Sequence, residues 1–497
     1  MDFNWLTAIL VLPVLGAIIV TFISGKNGKA IKWTSAIFTF VPFVLSIVVF
    51  VLFDRSVAAA GVMQFEEKML WITPLNAYYH LGVDGLSMPL MLLTSFLGFL
   101  AVLISWKVHE RPREYFAWLL LLETSIIGVF VSLDMLLFFV MWEIEVIPMY
   151  FLISIWGTGR RDYSAIKYVI YTLFGSAFML AGILTLYFTT GSLSMVEIAN
   201  QGLGMVQSIM PAAAIFWLLL IGFAVKLPVF PLHTWLPDAH TDAPTAVSVM
   251  LAGALIKMGG YGMIRLCVSF FPQVAAQFAH LLVVLAVIGV VYGAAVTLRQ
   301  TDVKRLIAYS SISHMGYVLL GIFALGQVSL TGAALQMVSH GVVTGLLFAI
   351  AGLVIHNVEE RNLNKLGGLV RQAPVIVVVF SIAGLASLGL PTTSGFAAEF
   401  LIFVGSFAST AFVGIQVYTL IAITGVVLTA GYILWMLQRA FYGPVKAEYN
   451  RVKDADTLEK VYMFALVAVI MLVGIYPAVL TDIIKLGISP IVGFIGG

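Results

Sequence analysis

Six ionisable residues stand inside stretches that are otherwise apolar: Glu123, Glu143, Glu145, Lys226, Lys257 and Glu399. A lysine at the centre of a bilayer-spanning helix costs roughly 2.5 to 3.5 kcal/mol on insertion scales, so it persists only where something hydrates or pairs it. The two lysines bound the block KLPVFPLHTWLPDAHTDAPTAVSVMLAGALIK (226–257), in which Pro228 and Pro231 break an apolar run. Burial disfavours the charged form of either group and pairing restores it. A Glu143 to Lys226 pair would therefore hold or release the lysine's proton as it closes or opens, which is a relay element. A static buried ion pair that only fixes helix packing is the plainer alternative.

The histidines extend the pattern. His314 shares a helix face with Ser310, Ser311 and Tyr317, and His340 shares one with Gln336 and Thr344, all at i±3 or i±4. Such polar stripes on apolar helices can hold water chains; a bis-histidine haem, or histidines satisfied by neighbouring hydroxyls, are the competing readings. His233, Asp238, His240 and Asp242 follow the first break and suit a proton vestibule or a plain turn better than a metal site, because they lack tight ligand spacing.

The elements that must position these groups are membrane helices. With 61% hydrophobic and 10% charged residues over 497 positions, the chain cannot be a water-soluble globule, which carries about 25% charge. Spans of about 20 apolar residues lie near 5–23, 31–53, 84–106, 114–133, 134–156, 164–189, 211–238 (broken), 243–267, 275–299, 303–323, 329–355, 374–408 (broken), 412–441 and 460–480. These fourteen spans predict an all-α integral membrane fold. Charge supports the count: 20 of the 26 Lys and Arg, Lys446 and Arg451 among them, fall in odd-numbered loops. The positive-inside rule then puts both termini on the non-cytoplasmic side. The first apolar run is followed by further helices and no small-residue cleavage site, so no cleavable signal peptide is expected.

Glu123 and Glu143 each lie about ten residues from the turn at Leu133 and Asp134 on antiparallel neighbours, roughly 15 Å deep at 1.5 Å per residue. Lys226 lies 15 residues past Pro211 and Lys257 13 past Pro244, at a similar depth. Pro228 and Pro391 stand in the two broken spans and free the carbonyls of Ala224 and Ser387; exposed backbone at that depth belongs beside a hydrated cavity. The breaks fall in spans 7 and 12, five apart. That spacing predicts two five-helix repeats, 114–267 and an inverted 275–441, flanked by an N-terminal region 1–113 and a final helix region 460–497, within one membrane domain 1–497.

Exclusions follow as well. Cys267 is the sole cysteine, which rules out thiolate-ligated iron–sulfur clusters and disulfides within this chain. No dinucleotide-binding or Walker glycine motif is present. Redox chemistry or nucleotide hydrolysis is thus expected on partner chains.

Several segments resemble one known family. They are LLLLETSIIGVFVSLDMLLFFVMWEIEVIPMYFLISIWG (119–157), FAVKLPVFPLHTWLPDAHTDAPTAVSVMLAGALIKMGGYG (223–262), DVKRLIAYSSISHMGYV (302–318), QMVSHG (336–341) and LPTTSGFAAEFLIFVGSF (390–407). They are similar to the antiporter-like membrane subunits of respiratory complex I, most of all the M type, called subunit 4 in mitochondria and D in cyanobacteria and plastids. The resemblance implies proton translocation coupled to quinone reduction elsewhere, with no cofactor in this chain. Iron–sulfur clusters, quinone and, for an NADH-driven enzyme, flavin would sit on partner subunits. It implies partners among the other membrane subunits of complex I, including neighbouring antiporter-like ones, in a lipid bilayer and without nucleic acid. The location implied is the bacterial cytoplasmic membrane or the cyanobacterial thylakoid. By motif, Glu143, Lys226, Lys257 and Glu399 carry the family's relay positions, with His314, His340 and Glu123 as further relay candidates.

An acid at Glu399 resembles the M type, whereas the L and N types and the Mrp-type antiporters typically carry lysine there. Glu145 resembles the cyanobacterial pattern and leaves open which carboxylate pairs with Lys226. A subunit of an Mrp-type cation/proton antiporter or of a related membrane-bound hydrogenase, a structural membrane scaffold, and a quinone-binding oxidoreductase subunit remain the alternatives.

Overall fold

The computed structural model describes residues 3–201, 209–444, 449 and 452–493. Lys446 and Arg451, counted above with the cytoplasmic loops, lie outside the described residues. The chain is predominantly helical, and twelve helices among the described residues are long and apolar enough to cross a membrane. It is a multi-pass membrane protein.

In chain order the helices begin with α1 (Trp5–Phe22), α2 (Gly28–Leu52) and the short α3 (Arg55–Ala59). After a strand pair come α4 (Ser87–Ile104) and α5 (Pro112–Val131). One further span is interrupted at Glu145 and so consists of α6 (Met135–Ile144) and α7 (Val146–Trp156). Pro148 lacks the N–H that would bond the Ile144 carbonyl, which accounts for the interruption. Then follow α8 (Arg161–Thr190), the short α9 (Met195–Gln201), α10 (Ala212–Lys226) and α11 (Trp235–Asp242). The second half holds α12 (Thr245–Val268), α13 (Pro272–Thr297), α14 (Val303–Phe323), α15 (Gln327–Val358), α16 (Pro374–Ser387), α17 (Ser394–Phe407), α18 (Ile415–Ala440), α19 (Thr457–Ile475) and α20 (Ala478–Gly493).

Both proline breaks occur where the sequence places them, between α10 and α11 and between α16 and α17. The freed Ala224 carbonyl accepts from the Val229 N–H at 2.9 Å, and at the second break the Leu390 N–H reaches back to Leu385 at 3.0 Å. Two features differ from the sequence reading. Residues 54–83, which fall between two expected spans, carry α3 and an antiparallel hairpin of β1 (Gln64–Ile72) and β2 (Ala77–Val83), with Met69 opposite Tyr79. An irregular register hides the alternation that would have marked these strands. The last predicted span stops early, since Pro477 disfavours helix at Tyr476, and α20 follows it.

Three of the four helices that carry Lys257, His314, His340 and Glu399 lie inside the protein; the fourth, α17, turns Glu399 inward and leaves Phe400 and Phe407 exposed. The hydrophobic window of α12 is 100% buried, and those of α14 and α15 are 94% buried, against 39% for α8 and α18. Polar groups on the inner helices therefore see protein and one another. Close approach is set by glycine: a Cβ on Gly341 would sit 2.5 Å from the Gly253 carbonyl oxygen, so α12 and α15 meet backbone to backbone.

Candidate functional site

Two polar clusters occupy the interior. The first joins the α6–α7 junction, α8 and the end of α10. Lys226, the last residue of α10, forms an ion pair with Glu145, whose carboxylate also accepts a hydrogen bond from the Tyr168 hydroxyl. The ammonium lies 3.3 Å from the Tyr168 oxygen and 5.3 Å from the centre of the Trp142 ring. Lys226 and Glu145 are 1% and 0% exposed. Aromatic faces and the negative end of the α10 dipole complete the cation's surroundings.

This corrects the sequence expectation of a Glu143 to Lys226 pair: the partner is Glu145. Two residues apart on a helix, the carboxylates point to different faces, and the face that carries Glu145 is the one turned to Tyr168 and Lys226. Glu143 is half-buried, and one of its oxygens has no hydrogen-bond partner among the described residues. Glu123 is buried against Gly98 of α4, and neither of its oxygens has a hydrogen-bond partner among the described residues. It does not join the cluster.

The second cluster is a run of four residues from four helices. Lys257 of α12 places Nζ 2.7 Å from Nδ1 of His340 on α15. It also donates to the Ala252 carbonyl, which a widened turn at Leu251–Leu255 exposes. The rings of His340 and His314 lie 5.5 Å apart, centre to centre. His314 of α14 then faces Glu399 of α17, Nδ1 to Oε1, at 3.2 Å. A cavity of about 10 Å³, lined by His314, Gln336, Ser339, His340, Ser387 and Glu399, lies at the centre of the run; that is room for about one water. Thr344 supports His340 by donating to its carbonyl oxygen.

The clusters are linked by packing. A Cβ on Gly259 would lie 2.5 Å from the Leu227 nitrogen and 2.6 Å from the Phe223 carbonyl oxygen, so the helix carrying Lys257 rests directly on the break beside Lys226. Of the residues after that break, Asp238 binds Lys167 at 2.7 Å and Arg305 at 3.5 Å, and Asp242 accepts from Ser164 at 2.6 Å. They build a charged collar, and no group of three or more His, Cys, Asp or Glu able to hold a metal occurs among the described residues.

Sequence reasoning passed over Tyr168 and Ser387. Tyr168 was findable, because Ser164, Tyr168, Thr172 and Ser176 form a polar i+4 series on an apolar helix. A buried pair, Asp84 and Arg265 at 2.6 Å, was also missed.

A membrane helix bundle with paired lysines, histidines and carboxylates in its buried interior defines an ion- or proton-translocating protein. The comparisons identify which. Residues 132–428 match the family described as NADH:quinone oxidoreductase/Mrp antiporter, transmembrane, and the chain belongs to that family. It is 41% identical over 487 residues to NAD(P)H-quinone oxidoreductase chain 4 1 of Synechococcus elongatus, covering 97% of this chain and 90% of that protein. It is 39% identical over 508 residues to NADH-quinone oxidoreductase subunit M of Rhodobacter capsulatus, covering 98% and 96%. A chain of respiratory complex I from Thermus thermophilus superposes with a TM-score of 0.89 at 26% identity, covering 99% of this chain and 100% of that one.

Proposed function

We propose that this chain is a proton-translocating, antiporter-like subunit of a respiratory or photosynthetic quinone oxidoreductase complex. Quinone reduction in partner subunits drives it, and the redox cofactors (iron–sulfur clusters, quinone and, with NADH as donor, flavin) reside on those partners. The observation that carries the reading is the run Lys257, His340, His314, Glu399, whose four side chains are all buried inside the protein. In this run the proton of a lysine has a histidine acceptor at hydrogen-bond distance, and the run ends on a carboxylate.

On this reading the two broken segments complete fourteen spans, and 114–267 and 275–441 form inverted repeats within one membrane domain. Both termini lie on the non-cytoplasmic side of a bacterial cytoplasmic or thylakoid membrane. Protons enter near the first break, pass Lys226, Lys257, His340 and His314, and reach Glu399. Glu145 holds and releases Lys226, Glu143 modulates that pair, and Glu123 serves as a reserve site beside α4. Neighbouring antiporter-like subunits flank the chain.

The test is the number of protons moved per electron by the assembled enzyme in vesicles. Lys257→Ala and Glu399→Gln should each lower it, and an unchanged yield in both would refute the assignment. The family description also covers Mrp-type antiporters. Sodium-dependent exchange without any redox substrate would favour that reading.

A further inference from the structure

One helix, α15, joins the relay to a cavity on the side rich in lysine and arginine. A cavity of about 210 Å³ opens between the ends of α4, α12, α15 and α19, and its lining includes Lys107, Tyr115, Thr245, Gly352, His356 and Glu459. Lys107 and Glu459 form an ion pair at 2.5 Å at its edge. Along α15, His356, Gly352, Phe348, Thr344 and His340 follow one another at intervals of four. Each is the surface neighbour of the next, so the stripe winds from the cavity to the histidine that holds Lys257.

Phe348 interrupts this stripe, and His240 of α11 lies flat on it. The ring centres are 4.7 Å apart and the planes differ by 7°. His240 is 0% exposed, yet neither Nδ1 nor Nε2 has a hydrogen-bond partner among the described residues. A leucine would fill the same space without two unsatisfied nitrogens, whose burial costs stability. Phe348 in turn lies about two turns along α15 from His340, the histidine that holds Lys257.

We infer that His240, stacked on Phe348, is the gate and proton carrier between this cavity and Lys257. The inference rests on the proposal that the chain moves protons. A neutral imidazole takes a proton from cavity water on one nitrogen and releases the proton of the other toward Lys257. The ring leaves the cycle neutral as the opposite tautomer, and rotation out of the stack restores the first. Phe348 bars a continuous water file, so the proton crosses only by way of the ring.

The test uses the complete complex in vesicles, with Lys257→Ala marking the share of the proton yield that passes through this chain. His240→Leu should lower protons per electron to the Lys257→Ala level at normal assembly. A wild-type yield in His240→Leu, while Lys257→Ala falls, overturns the gate. If Lys257→Ala itself leaves the yield unchanged, the transport reading fails and the gate with it. Should His240→Leu not assemble, His356→Cys decides the matter in a native His240 background, labelled from the lysine-rich side with a charged, impermeant methanethiosulfonate. Wild-type complex treated alike is the control, as the chain's own Cys267 is buried. Labelling should lower the yield toward the same level, and full labelling without effect overturns the cavity as the intake.

Discussion

His314 faces Glu399 at 3.2 Å through Nδ1, and its Nε2 lies 3.2 Å from the Ser387 hydroxyl. Ser387 ends α16 and Glu399 lies on α17, so one imidazole spans both halves of the second broken helix. The break thus has a polar clasp at its centre. His314 has a contact on each half of the break, through Nδ1 with Glu399 and through Nε2 with Ser387.

That clasp makes Ser387→Ala informative. The substitution removes one hydrogen bond, worth about 0.5–1.5 kcal/mol net, and leaves Glu399 in place. The complex should assemble at wild-type levels while quinone reduction coupled to pumping slows. His314→Gln should lower protons per electron further, because it removes the imidazole that lies between His340 and Glu399 in this run. Vesicle pumping assays on matched amounts of assembled complex check both.

The Glu145 to Lys226 pair predicts a non-additive double substitution. Removing one partner of a buried pair leaves an uncompensated charge and costs about 3–5 kcal/mol, whereas replacing both by apolar groups is often neutral. Glu145→Gln should therefore reduce assembled complex sharply, and Glu143→Gln much less. Glu145→Leu with Lys226→Met should restore assembly without restoring pumping. Native gel yield and proton yield, measured on the same preparations, separate the two effects.

Much of this site was legible in the sequence, and the remainder was hidden for physical reasons. Both proline breaks and the placing of Lys226, Lys257 and Glu399 within apolar helices follow from local chemistry, since a proline or an ionisable residue in an apolar run is legible within its own span. Which carboxylate meets Lys226 depends on which face of the span packs against α8 and α10, and periodicity within the span does not contain that. Lys257 and His340 are 83 residues apart; their meeting depends on the backbone contact of Gly253 with Gly341, a tertiary fact with no local signal. The hairpin was lost because its register slips twice. Glu123 fitted the depth argument, but depth alone does not say which neighbour a side chain faces, and it faces Gly98.

Contact at the first break yields a packing prediction. Gly259→Ala would drive a methyl group into backbone atoms of Leu227 and Phe223, which cannot yield as a side chain would. Overpacking of this kind costs about 1–3 kcal/mol. The variant should lower the thermal midpoint of the purified complex, and it should also lower proton yield by pushing Lys257 away from Lys226. Gly431→Ala, where a Cβ meets only the Leu298 side chain at 3.7 Å, should do neither.

Asp84 and Arg265 supply the contrasting case of a buried pair outside the relay. Arg265 Nη2 lies 2.6 Å from Asp84 Oδ2, and Arg265 Nε is 3.4 Å from the Tyr261 hydroxyl, beside a cavity of about 100 Å³ that α20 helps to close. Asp84 also accepts from the Leu86 and Ser87 N–H groups at 3.0 and 2.9 Å, which fixes the start of α4. Asp84→Asn keeps the shape and loses the charge, leaving the guanidinium without its counter-ion in a site where both groups are buried. Assembly should fall as it does for Glu145→Gln, by the same desolvation argument. The complexes that do assemble should move wild-type numbers of protons per electron, because no residue of the Lys257, His340, His314, Glu399 run touches this pair. A reduced yield in assembled Asp84→Asn enzyme would mean that the pair belongs to the proton path after all.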